Sequence, residues 1–219
     1  VFLIKRSGFE SVDITFYINV GSAYETEENN GISHLLEHQL FSRKKEEQFY
    51  PFGSDVEAYT FKDVTRYEVV ISKKYIENVI PILREIVFRP KFDPQTLDIN
   101  RETVIQEIEE EADDSYALLN QKADEHLFPQ GSMSLCIGGK KENIKRIEIE
   151  DLKNWYNNFY SPENMILTIV GDVSIDRMKK LVKEYFESDQ GKGTKTAATR
   201  KKISPLKPQD KKRSATANY

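Results

Sequence analysis

The chain of 219 residues is poor in the residues that staple or anchor small proteins. It has one cysteine, Cys136, which excludes an intramolecular disulfide framework and a cysteine-rich metal site. No apolar run approaches the ~18 residues that a membrane span needs. Methionine does not open the chain, and Val1-Phe2-Leu3-Ile4 reads as a cut or processed start. The expected compartment is the cytoplasm, with a lost targeting segment left open. A basic excess is also missing from the body. Net charge is −4, yet residues 191–219 hold nine Lys/Arg against one Asp, a balance of +8 that leaves −12 for the other 190 residues. Phosphate binding needs a basic face, so an acidic body argues against nucleic acid as a partner.

What is present is enough to build a core. Hydrophobic residues make up 38%, with 12 Phe and 11 Tyr, so disorder of the whole chain is excluded. Residues 1–187 read as one domain. Residues 188–219, rich in Lys, Thr, Ser and Ala without apolar period, read as a basic linker or tail. Val12, Ile14, Phe16, Ile18 and Val20 alternate, the period of a half-buried strand. Ile32, Leu35, Leu36 and Leu40 recur at helical spacing and predict a helix to about Arg43. Two short strands are expected near 55–60 and 65–71, then a long helix through Ile76, Val79, Ile80, Leu83, Ile86 and Val87. Asp93-Pro94 is a helix start, with a capping side chain followed by a residue preset for the first turn. That helix is expected to run past Glu111, and onward with an interruption to about Leu127. Helices over 148–160 and from Ile175 to Phe186 flank a buried strand at Met165–Val170. The order predicts an α+β fold, a two-layer α/β sandwich with an antiparallel-rich mixed sheet covered by helices.

Two of the three histidines lie in His34-Leu-Leu-Glu37-His38, on the first expected helix. Four residues apart, both imidazoles leave one face and can meet one metal ion. Glu37 precedes the second ligand and is placed to take a proton from water rather than to bind the metal. This H-x-x-E-H order is the reverse of H-E-x-x-H and is the inverzincin arrangement. A catalytic zinc site needs a third protein ligand. The candidates are His126 and the carboxylates of the acidic helix, where seven of the thirteen residues from Glu102 to Asp114 are acidic. Val104 and Ile108 mark the inward stripe of that helix, and Glu107 lies beside it. Glu109 and Glu110 turn towards solvent, so Glu107 is the best-placed of the set.

The motifs around this segment resemble the pitrilysin/insulinase family of zinc metallopeptidases, which includes the processing peptidases and similar bacterial proteins. Val20-Gly-Ser-Ala-Tyr-Glu25, Gly31 through Phe41, Gly53 through Thr60, Asn100 through Ile108, Phe159 through Met165 and Ile169-Val-Gly-Asp172 all resemble family elements. The resemblance implies Zn²⁺ held by His34, His38 and Glu107, with Glu37 as general base. It places Asn100 where the family carries a Glu, on the same helix face as Glu107, as a hydrogen-bonding neighbour of the metal ligands. It makes Glu57 and Ala58 substrate contacts, although the family has Asn where this chain has Glu57. The implied activity is a zinc-dependent endopeptidase acting on peptides or small unfolded polypeptides. Members of the family pair two related domains, so a second homologous domain, in the same chain or in a partner subunit, is expected to close the site. The alternative is a non-catalytic scaffold or regulatory subunit of the same family.

Overall fold

The computed structural model describes residues 1–129 and 131–186. The tail expected at 188–219 lies outside the described residues. Five strands form one sheet: β1 (Phe2–Lys5), β2 (Ser11–Ile18), β3 (Asp55–Thr60), β4 (Thr65–Ser72) and β5 (Met165–Gly171). Their order is β1-β5-β2-β4-β3. β1 runs parallel to β5, and every other pairing is antiparallel. The eight α-helices of the described residues are α1 (Ile32–Leu40), α2 (Arg43–Glu46), α3 (Ile76–Phe88), α4 (Pro94–Asp113), α5 (Ser115–Leu127), α6 (Lys141–Arg146), α7 (Ile149–Phe159) and α8 (Ile175–Phe186). The expected class, a mixed and antiparallel-rich sheet covered by helices, is the one observed.

Period-two alternation sorts the sheet into two faces. Phe16 stands opposite Tyr67 and Leu167, and Ile14 opposite Val69 and Ile169. These side chains are buried. Phe16 meets Phe88 of α3 and Phe186 of α8 edge-on, at centroid distances of 5.7 and 5.4 Å. The opposite face carries Arg66 and Glu68, paired at 3.2 Å. Helix α1 sinks Leu35, Leu36 and Leu40 into the core with no exposure, each worth roughly 1.5–3 kcal/mol. That burial fixes which side of α1 remains for the histidines.

Two element ends differ from the sequence reading. The strand expected through Val20 stops at Ile18, because the Val20 N–H donates back to the Ile18 carbonyl at 2.8 Å. The helix expected to about Arg43 ends at Leu40, and α2 follows as a separate turn. The long acidic helix is interrupted as expected, at Asp114, whose extended backbone and side-chain bond to the Tyr116 N–H start α5, which runs to Leu127. β1 and α6 carry no period long enough to announce them. The Asp93 cap is present, with its side chain accepting from the Thr96 N–H. Among the described residues, no helix is long and apolar enough to cross a membrane.

Candidate metal centre

Helix α1 starts without a side-chain cap of its own. Its N-cap is Gly31 at φ 99°, a left-handed backbone that favours glycine. The exposed amides are satisfied from six residues upstream. Glu25 is almost wholly buried, and its carboxylate accepts from Gly31 N at 2.7 Å, Ser33 N at 2.9 Å and Asn30 Nδ2 at 2.9 Å. Burial nevertheless outweighs these donors and raises the Glu25 carboxyl above its ordinary value. The loop at Gly139 presses against the same helix start. A Cβ on Gly139 would sit 2.5 Å from Asn30 O and from Gly31 Cα.

At the other end, α1 is tied to α4. Gln39 Nε2 donates to the Asp93 carbonyl at 3.2 Å, and Asn100 Nδ2 donates to Gln39 Oε1 at 3.1 Å. Asn100 is buried. It lines the same cavity as the histidines, but its bond goes to Gln39 rather than to His34, His38 or Glu107. The link sets the spacing of α4 against α1, and that spacing brings Glu107 to the histidines.

Three atoms then converge. His34 Nε2 and His38 Nε2 are 3.2 Å apart, and Glu107 Oε2 lies 3.6 and 3.3 Å from them. Among the described residues, these three side chains form the group whose donor atoms could hold a metal ion. Ligands held at about 2.0–2.1 Å in a tetrahedron lie about 3.3–3.4 Å apart. The observed triangle therefore fits one face of a zinc coordination tetrahedron. His34 Nδ1 is buried without a partner, so its tautomer is not set from that side. His126 is exposed near the end of α5 and takes no part.

The electrostatics of the cluster follow from burial and from its mixed charges. Burial, and then His38, lower His34 to about 4. Burial also acts to lower His38, but the Glu107 and Glu37 carboxylates outweigh it and raise that residue. Burial works to raise Glu107, and the two histidines outweigh it and hold that carboxylate down. Glu37 is only 7% exposed. Burial pushes it to about 6 against the opposing pull of His38 and of the Thr60 hydroxyl. Thr60 Oγ1 donates to Glu37 Oε2 at 2.8 Å.

All of this faces one cavity of about 1160 Å³. Ala58 lines it, but Glu57 does not. Alternation along β3 sends Ala58 and Thr60 to the helix-covered face and Glu57 to the other, where it pairs with Arg66 at 3.5 Å. Glu57 thus lies on the strand face opposite Ala58 and Thr60. Sequence reasoning missed Thr60, Gln39 and Glu25. The first had a signal, since it sits two residues from Ala58 on one strand face. The other two act through α1 and become visible only once α4 and the Glu25 loop are folded against it.

Comparison with known proteins places this fold among characterised folds. Residues 1–134 match the family described as Insulinase (Peptidase family M16), and residues 146–217 match the Peptidase M16 inactive domain. The two stretches meet in one sheet, because β5 of the second lies between β1 and β2 of the first. The chain is similar to the uncharacterized zinc protease YmxG of Bacillus subtilis, at 28% identity over 193 residues, covering 85% of this chain and 47% of that protein. Two Caenorhabditis elegans proteins are similar over 189 residues and 83% of this chain. They are the mitochondrial-processing peptidase subunit beta, at 27% identity over 41% of its length, and cytochrome b-c1 complex subunit 1, at 26% over 40%. The first half of the periplasmic protease PqqL from Escherichia coli shares the fold, with a TM-score of 0.80 at 23% identity, over 90% of this chain and 45% of that one. This chain thus spans about half the length of the relatives it matches, or less. The match over residues 1–134, more than half of the sequence, places the chain in peptidase family M16, the insulinase family.

Proposed function

We propose that this chain is the metal-carrying half of a zinc-dependent endopeptidase that cleaves peptides or small unfolded polypeptides. The observation that carries the reading is the triangle of His34, His38 and Glu107, with Glu37 beside it in one open cavity. A zinc ion held by those three side chains supplies Lewis-acid polarisation of a peptide carbonyl and acidifies water. His34 suits such an ion because its depressed value keeps it neutral at pH 7. Glu37, raised to about 6, is ionised at pH 7 yet basic enough to accept a proton from water. It then returns that proton to the leaving amine. Strand β3 is an edge of the sheet, and β4 is its one partner among the described strands. Its outer main-chain groups can pair with an extended peptide, a mode that tolerates many sequences. A second homologous domain, in the same chain or in a partner subunit, closes the cavity over that peptide. The relatives' greater length supports this.

The test uses the intact protein with its second half or partner. Metal analysis is expected to find about one zinc per chain. Glu37→Gln is expected to retain the zinc and lose cleavage of an unfolded polypeptide. Normal cleavage by that variant would remove Glu37 from its role. The second reading, a non-catalytic scaffold, has support in the similarity to a cytochrome b-c1 subunit. It predicts no bound zinc and no cleavage.

A further inference from the structure

We propose that Thr60 is a positioning residue, whose hydroxyl holds one carboxylate oxygen of Glu37 so that the other faces the cavity between the histidines and β3. The inference rests on the proposed role of Glu37 as base. Four observations support it. Thr60 Oγ1 and Glu37 Oε2 lie 2.8 Å apart, and both residues are buried. No second side chain among the described residues hydrogen-bonds to that carboxylate. Thr60 is the last residue of β3, and its partner across the ladder, Thr65, is pinned by its own hydroxyl to the Val20 carbonyl at 2.9 Å. The donor is therefore built on a rigid strand end rather than on a loop.

A carboxylate acts as a base only if its free oxygen is presented in the right direction. Glu37 has three rotatable bonds, and the helix fixes only its root. Burial narrows its choices, and Thr60 acts on it through both its hydroxyl and its backbone N–H, so losing the hydroxyl removes the side-chain one of two tethers. Without the hydroxyl, Glu37 is freer to turn towards His38, which interacts with it by charge and belongs to the proposed metal ligands. A Glu37 drawn to His38 would be lost to the water and would also compete with Glu107. The Thr60 hydroxyl prevents this by holding Oε2 at the sheet. The same strand offers its outer edge to the proposed peptide. One element thus aligns both substrate and base.

The experiment compares Thr60→Val, Thr60→Ser and the unchanged protein, with the second half or partner present. Val keeps the shape of Thr and removes the donor, while Ser keeps the donor. Thr60→Val is expected to lower kcat on the order of 10- to 100-fold, with KM and zinc content unchanged. Thr60→Ser is expected to regain most of the rate. A purely structural role would lower stability and zinc content together, and Ser would not restore kcat selectively. Crystal structures of the three proteins give a readout that needs no activity. The Glu37 carboxylate is expected to leave its present place in Thr60→Val and to keep it in Thr60→Ser. A Glu37 that stays fixed in Thr60→Val, or a variant with unchanged kcat in a protein that cleaves, overturns the proposal. Absence of cleavage by the unchanged protein sinks the peptidase reading instead, and the crystal structures still decide the role of Thr60.

Discussion

Replacing Glu25 with Ala tests whether the motif helix is held from outside itself. The carboxylate is the acceptor for Gly31 N and Ser33 N at the start of α1. Asn30 Nδ2 loses one bond but keeps its bond to the Cys136 carbonyl at 2.8 Å. Two buried backbone donors are thus left without an acceptor, at a cost of ~1–3 kcal/mol each. Part of this is returned, because the variant no longer buries a carboxylate whose desolvation is unfavourable. The net loss is expected to be ~2–4 kcal/mol, measured by urea unfolding of the metal-free protein. The pH dependence has a definite sign. The folded-state value lies above 4.5, so the folded chain binds this proton more tightly than the unfolded one. The contribution of Glu25 is therefore greatest at low pH and declines as pH rises from 4.5 through the raised value. A loss below ~1 kcal/mol, or a difference between Glu25 and Ala that grows over that range, would refute the assignment of Glu25 as the remote cap of α1.

Two further substitutions probe the frame around the triangle. Asn100→Ala removes the bond to Gln39 and leaves a buried acceptor unpaired. It is expected to cost ~1–3 kcal/mol in urea unfolding and to weaken zinc binding on the order of tenfold in a chelator competition, since the spacing of α4 on α1 loosens. Unchanged zinc affinity would show that Glu107 is set by the rest of α4. Gly139→Ala would force a Cβ to 2.5 Å from backbone at φ 84°. Strain and overpacking together predict a loss of ~2–5 kcal/mol. Gly8→Ala, at φ 90° with nothing within 4 Å, is the control and is expected to lose only the backbone part, ~1–2 kcal/mol. Equal thermal shifts for the two would deny that the loop at Gly139 packs against the start of α1.

The metal triangle was largely legible in the sequence because helical periodicity is a local property. His34 and His38 share a face by their spacing, and Glu107 lies beside the Val104–Ile108 stripe. No tertiary knowledge enters either step. Strand alternation could also have separated Glu57 from Ala58, since the two must face opposite ways once β3 is a strand. The family resemblance placed both at the substrate, and of the two only Ala58 lines the cavity. The contacts that escaped are those between elements distant in sequence. Gln39 meets Asn100 across 61 residues, and Thr60 meets Glu37 across 23. Such pairs have no periodic trace. Their residue types, Gln, Asn and Thr, read as ordinary polar positions until the sheet and α4 close over them. β1 escaped for a different reason. Four residues at a sheet edge, mostly exposed, bury too little to impose an alternation.

The electrostatics explain why so acidic a helix supplies the third side chain. Without a cation, the cluster is held together by a compromise. Glu107 is ionised, His38 is biased towards its charged form, and His34 is neutral. His38, pushed towards its charged form, works against the negative charge of Glu107 and Glu37. A dication held by His34, His38 and Glu107 would match the two negative charges of Glu107 and Glu37. Burial and the Glu107 charge raise Glu111 on the cavity wall. At the position of Asn100 this chain carries an amide, which ties α4 to Gln39 without adding a negative charge. The departure from the family pattern at Asn100 leaves the triangle of His34, His38 and Glu107 intact. It trades a carboxylate for a neutral strut in a region where seven acidic residues in thirteen already supply negative potential.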